Sequence, residues 1–139
     1  MTTSSDRLLR RTLWGNAAFS VLSGAMLVAF AEPFARFAAH GPVSVAGLDL
    51  AILFELLGVG VVAFGGLCAW VASRAELPRG LARFIFAADI AWVAASALVL
   101  ALPASWTTAG VVGIVVVALI VADFVILEYL GLRRLHTAA

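Results

Sequence analysis

The amino-acid sequence predicts an all-α membrane protein. The expected architecture is a single domain over residues 1–139, an antiparallel up-down-up-down bundle of four transmembrane helices. Three observations carry this expectation. Four apolar segments, residues 12–31, 48–71, 81–102 and 107–130, fill most of the chain. Each is about as long as the 20 residues a helix needs to cross ~30 Å of hydrocarbon. Hydrophobic residues make up 64% of the chain and charged residues 12%, where a soluble domain carries about 25% charged residues. The mean hydropathy is +1.12, and the segments are apolar all round rather than two-faced as surface helices are.

The first helix is preceded by Arg7, Arg10 and Arg11. Its end, Ala29-Phe30-Ala31 before Glu32-Pro33, resembles a secretory cleavage site. The apolar run exceeds the ~7–15 residues of a signal sequence, so a retained helix is expected. The first connection, residues 32–47, is the longest. Phe34, Phe37 and Ala38 fall at i, i+3 and i+4, which predicts a short interfacial helix over 33–40. In the second helix Glu55, Gly58, Val62, Gly65 and Ala69 share one stripe. A polar connection, residues 73–80, leads to the third helix, and Pro103-Ala104-Ser105-Trp106 forms a tight turn before the fourth. Thr107 or Thr108 can cap that last helix. Small residues four apart recur: Ser20 and Gly24, Gly65 and Ala69, Ala87 with Ala91 and Ala95, Ala109 and Gly113. Such spacing lets helix backbones approach closely in lipid.

Orientation follows from the arginines, because the chain has no lysine. Eight of the nine (Arg7, Arg10, Arg11, Arg74, Arg79, Arg83, Arg133 and Arg134) fall on one side of a four-span topology, and only Arg36 on the other. The positive-inside rule places that side, with both termini, in the cytoplasm. Trp14 and Trp70 then fall near the inner interface and Trp106 near the outer, whereas Trp92 sits deep. The arginine-only, alanine-rich composition points to a GC-rich bacterial genome, and so to a bacterial inner membrane.

A carboxylate in hydrocarbon costs at least ~2.5–3.5 kcal/mol on insertion scales, so every intramembrane acid calls for a reason. Glu55, Asp89 and Asp123 qualify. Glu128 lies nearer the arginine-rich end and is expected to anchor there on Arg133, Arg134 or Arg11. Asp89 lies six residues past Arg83 and Asn16 six past Arg10, about 9 Å along each helix. Asp123 precedes Arg133 by ten residues, or about 15 Å. Glu55 enters from the opposite side, with Ser23 and Ser96 near its level. The expected site is a polar seam: Glu55, Ser23 and Ser96 above, Asn16, Asp89 and Asp123 below, with Phe19 and Trp92 lining an apolar pocket. No basic residue lies at these depths, so the acids must be protonated, hydrated or paired with a ligand.

An internal echo accompanies the seam. At an offset of 73 residues, Arg10 falls on Arg83, Asn16 on Asp89, Phe19 on Trp92, Ser23 on Ser96 and Leu27 on Leu100. No comparable match joins the second and fourth helices. A true duplication would make the two hairpins parallel repeats about an axis normal to the membrane.

Other chemistry is sparse. Cys68 is the only cysteine, which excludes an internal disulfide and a cysteine-based metal site. His40 lies in the outer loop and His136 in the tail, so no histidine pair faces a common metal or haem. Gly58, Gly60, Gly65 and Gly66 lie within an apolar span and form no phosphate loop. A net charge of +1 gives no sign of a nucleic-acid partner. No nucleophile–base pair is present, so no enzyme, cofactor or metal is expected. The leading expectation is binding or translocation of a proton, cation or small solute through the carboxylate seam. The alternative is a non-catalytic accessory subunit or lipid-binding scaffold, its partners being membrane lipids, a second copy or a membrane complex.

Overall fold

The computed structural model describes residues 4–45, 47–102 and 105–137. These form five helices: α1 (Ser4–Ala29), α2 (Ala31–Ala38), α3 (Leu50–Ser73), α4 (Arg79–Ala101) and α5 (Thr108–Thr137). Four of them contain stretches long and apolar enough to cross a membrane: Asp6–Ala29, Leu50–Ser73, Arg79–Ala101 and Thr108–Arg134. The all-α class and the four segments therefore stand. α1 and α5 run past the expected boundaries into the arginine-bearing ends, because backbone hydrogen bonding does not stop where the apolar residues do. Pro103 and Ala104 of the expected turn, and the His136 side chain, lie outside the described residues.

α1 is the hub. It packs most extensively on α3, then on α5, while α4 packs chiefly on α5 and barely touches α3. Small residues set the α1–α3 approach. A Cβ placed on Gly24 would lie 2.7 Å from the Gly58 carbonyl oxygen, and one on Gly58 would lie 2.7 Å from that of Gly24. Gly65 similarly abuts Ala17 and Val21. As the α1 position rises from 17 to 24, its α3 neighbour falls from 65 to 58, so these two helices are antiparallel. This is the close backbone contact that lipid-embedded helices use in place of a hydrophobic driving force. The other small pairs divide differently: Ala87, Ala91 and Ala95 are exposed, and Gly113 has open space around it.

The arginine-rich end is closed. Leu9, Leu13, Cys68, Val71, Ala82 and Ile85 form one buried cluster there. Arg10 reaches from α1 across the end of α3 and donates to the carbonyls of Ala72, Arg74 (2.6 Å) and Ala75 (3.3 Å). A cation on the unsatisfied carbonyls of a helix C-terminus satisfies them and opposes the helix dipole. Arg74 itself stacks on Trp70, 4.1 Å from the ring centroid.

The opposite end is tied by α2, the short helix expected at 33–40. Thr107 donates from Oγ1 to the Phe37 carbonyl at 2.6 Å and from its backbone N–H to Ala38 at 2.9 Å. The same Oγ1 accepts from Gly110 N–H at 2.9 Å, which makes Thr107 the cap of α5. Between α2 and α3, Ser44–Val45 pairs antiparallel with Leu48–Asp49, a hairpin that the sequence reading lacked. Its turn uses Gly47 at φ +80°, a conformation open to glycine at little steric cost.

Candidate functional site

Because α3 and α4 meet only near the arginine-rich end, they leave a cleft of 680 Å³ between them, floored by α1 and α5. The size is that of small-molecule sites in general. The walls are mostly apolar, with Phe19, Phe64 and Trp92 among the larger side chains, and Phe34 of α2 also contributes. Asn16, Ser20, Ser23 and Asp89 supply the polar groups. Leu13 and Ile85 lie one turn nearer the arginine-rich end than Asn16 and Asp89, and both are fully buried.

The polar groups form a connected network. Asn16 is 1% exposed and Asp89 4%. Asn16 Nδ2 donates to Asp89 Oδ2 at 2.6 Å and to Glu128 Oε1 at 3.2 Å. Its Oδ1 accepts from Ser20 Oγ at 3.1 Å. An amide nitrogen has two hydrogens, so each proton of Asn16 is given to a different acid on a different helix. The acceptors also define the amide's orientation: the reversed rotamer would turn the carbonyl oxygen toward both carboxyl groups. Glu128 is fully buried, and its Oε2 has no partner among the described residues. The junction therefore joins α1, α4 and α5 through one side chain.

This arrangement reorders the expected seam. Asn16, Ser23, Asp89, Phe19 and Trp92 all line the cleft. Ser96 does not: its hydroxyl donates to the Trp92 carbonyl one turn back, at 2.9 Å. Ser23 likewise bonds Ser20 O at 3.3 Å. Glu55 is exposed and belongs to no seam. Its stripe does face α1 through Gly58 and Gly65, yet Glu55 itself is not among the residues that line the cleft. Asp123 is also exposed rather than directed into the bundle. It precedes Glu128 by five residues, which is about 140° around a helix with 3.6 residues per turn.

Glu128 is the site residue that sequence reasoning missed. Its Oε1 accepts from Asn16 inside the bundle, and the carboxyl group is fully buried instead of reaching out to the terminus. Its place follows from its stripe on α5. Phe124, Glu128 and Gly131 fall at i, i+4 and i+7, and Phe124 and Gly131 both contact α1: the Phe124 ring lies 6.0 Å from that of Phe19, and a Cβ on Gly131 would touch Leu9. Elsewhere, Cys68 is a buried free thiol and His40 is exposed in its loop. Among the described residues no group of three or more histidine, cysteine or acidic side chains is placed to hold a metal ion.

Compared with family models, with curated proteins and with solved structures, the chain matches none. Function must therefore be argued from the site itself.

Proposed function

We propose that this multi-pass protein binds a small amphipathic molecule in the cleft between α3 and α4. Its apolar body lies against Phe19, Phe64 and Trp92, and its cationic or hydrogen-bond-donating end meets Asp89. The observation that carries this reading is the composition of the cleft: 680 Å³ of mostly apolar wall that reaches a buried carboxyl group. An acid at membrane depth is retained at a cost, and a polar or ionic counterpart offsets it. Asp89 is the acid of the junction that lines the cleft, whereas Glu128 lies behind it. The sealed cluster around Leu13, Val71 and Ile85 favours binding over passage through the bundle. The reading includes no catalytic step and no cofactor. In this proposal the chain sits up-down-up-down in a bacterial inner membrane, as its arginine-only, alanine-rich composition suggests, with the arginine-rich end and both termini cytoplasmic by arginine asymmetry.

The test is equilibrium binding of radiolabelled dodecylamine, dodecanol and dodecanoate to the protein in lipid nanodiscs. The expected order is amine, then alcohol, with the carboxylate weakest. Asp89→Asn should remove the preference for the amine while leaving the alcohol bound. Equal binding of all three, or a preference untouched by Asp89→Asn, would overturn the reading.

A further inference from the structure

Asp123 lies in the middle of α5, outside the cleft. It is 15 residues from Thr108 and 11 from Arg134, the bounds of the apolar stretch. Those separations are about 22 Å and 16 Å along the helix, and half the hydrocarbon thickness is ~15 Å. The carboxyl group is therefore near mid-membrane, too far from either end for a short side chain to reach headgroups. It is exposed and makes no hydrogen bond or ion pair with any described residue. Its neighbours along the same face, Val112, Val116, Leu119, Ile126 and Leu130, are all exposed and apolar. α1, α2 and α4 all pack on α5, and this face is left exposed. An ionised acid in such a place is expensive, so it is either protonated or paired with a polar or charged group. No described residue supplies such a partner.

We propose that this face of α5 docks a transmembrane helix of another protein that carries a lysine or arginine at mid-depth, with Asp123 as its ion-pair partner. Charge decides in favour of a foreign helix over a second copy. The chain has no lysine, and its nine arginines lie in connections or near helix ends. A second copy therefore has no cation to offer at the level of Asp123. In a low-dielectric surrounding a cation close to the carboxylate is attracted far more strongly than in water. The apolar residues above and below Asp123 complete a face along which a second helix can lie. This inference does not depend on the cleft.

The test uses the full chain, labelled at its N-terminus, in liposomes with a labelled polyleucine transmembrane peptide that bears one central lysine. The same peptide with leucine at that position is the control, and energy transfer reports association. The lysine peptide should bind at least tenfold more tightly than the control. Asp123→Asn should abolish that difference, whereas Glu55→Gln and Asp89→Asn should preserve it. Asp123→Lys should reverse the selectivity, favouring a peptide with a central glutamate. Because Asp123 has no hydrogen bond or ion pair with a described residue to lose, each Asp123 variant should melt with the parent chain. Equal affinity for the two peptides, or a lysine preference that follows Glu55 instead, would overturn the proposal. So would self-association of the chain that Asp123→Asn abolishes without any lysine preference, since a second copy would then cover the face.

Discussion

Asn16 and Asp89 meet at 2.6 Å across the interior of the bundle, and they are one of the five pairs that the 73-residue echo superposes. Positions that correspond in α1 and α4 are thus hydrogen-bonded to each other, which is what a site near a pseudo-symmetry axis would do. The echo stops short of α3 and α5. The Asn16 amide adds Glu128 from α5, and α3 contributes no polar side chain to the junction.

Removal of the shared donor should destabilise the bundle. Asn16→Ala leaves Asp89 and Glu128 buried with no amide between them, and leaves Ser20 without its acceptor. A buried group stripped of its partner costs about 1–3 kcal/mol, and single interhelical hydrogen bonds in membranes contribute about 0.6 kcal/mol on average. The expected loss is about 1–3 kcal/mol, read as a lower melting temperature in detergent.

Asp89→Asn should separate stability from binding. The new side chain keeps an oxygen for the Asn16 amide, so the melting temperature should fall by less than it does in Asn16→Ala. The preference for dodecylamine should disappear. Equal losses of stability in the two variants would argue that Asp89 is purely structural.

Arg10→Ala should loosen the arginine-rich end. It strips three carbonyls at the end of α3 of their donor. A loss of about 1–2 kcal/mol is expected for charge-assisted bonds at a partly exposed helix terminus. Arg10→Lys retains the charge without the planar fork and should recover only part of it. Hydrogen exchange over residues 72–78 should rise more than over the cluster at Leu13.

Two glycines in α1 and α3 should behave oppositely. In Gly24→Leu the side chain would meet the Gly58 carbonyl, at 2.7 Å from Cβ, and the Val62 backbone nitrogen at 2.9 Å. Overpacking of this kind costs about 1–3 kcal/mol. At Gly66, nothing lies within 4 Å of the added Cβ. Gly66→Ala should therefore be neutral or stabilise the helix by up to about 1 kcal/mol, as thermal unfolding would report.

Reporter fusions check the orientation. A reporter after Ala139 should be cytoplasmic, and one inserted between Gly41 and Gly47 should be on the opposite side. Both on one side would reject the proposed topology.

The sequence by itself determined the solvent of this protein, the number of its spans and the helix after the first of them. Those properties follow from length and hydropathy, which need no knowledge of neighbours. It also placed Asn16 and Asp89 at a common depth, because depth along a helix is counted in residues. Only the tertiary structure decided which acids face inward. A helix that is apolar all round carries no periodic signal of its packed side, since in lipid the outward face is apolar too. Glu128 is buried because it shares the α1-facing stripe of Phe124 and Gly131. Asp123, five residues earlier, is turned away from α1 by the pitch of the same helix. Glu55 shares the α3 stripe of Gly58 and Gly65 but is exposed and outside the cleft. The choice of α1 as the hub between α3 and α5 therefore decided which carboxyl groups share a site, and that choice came from backbone contact at Gly24, Gly58 and Gly65.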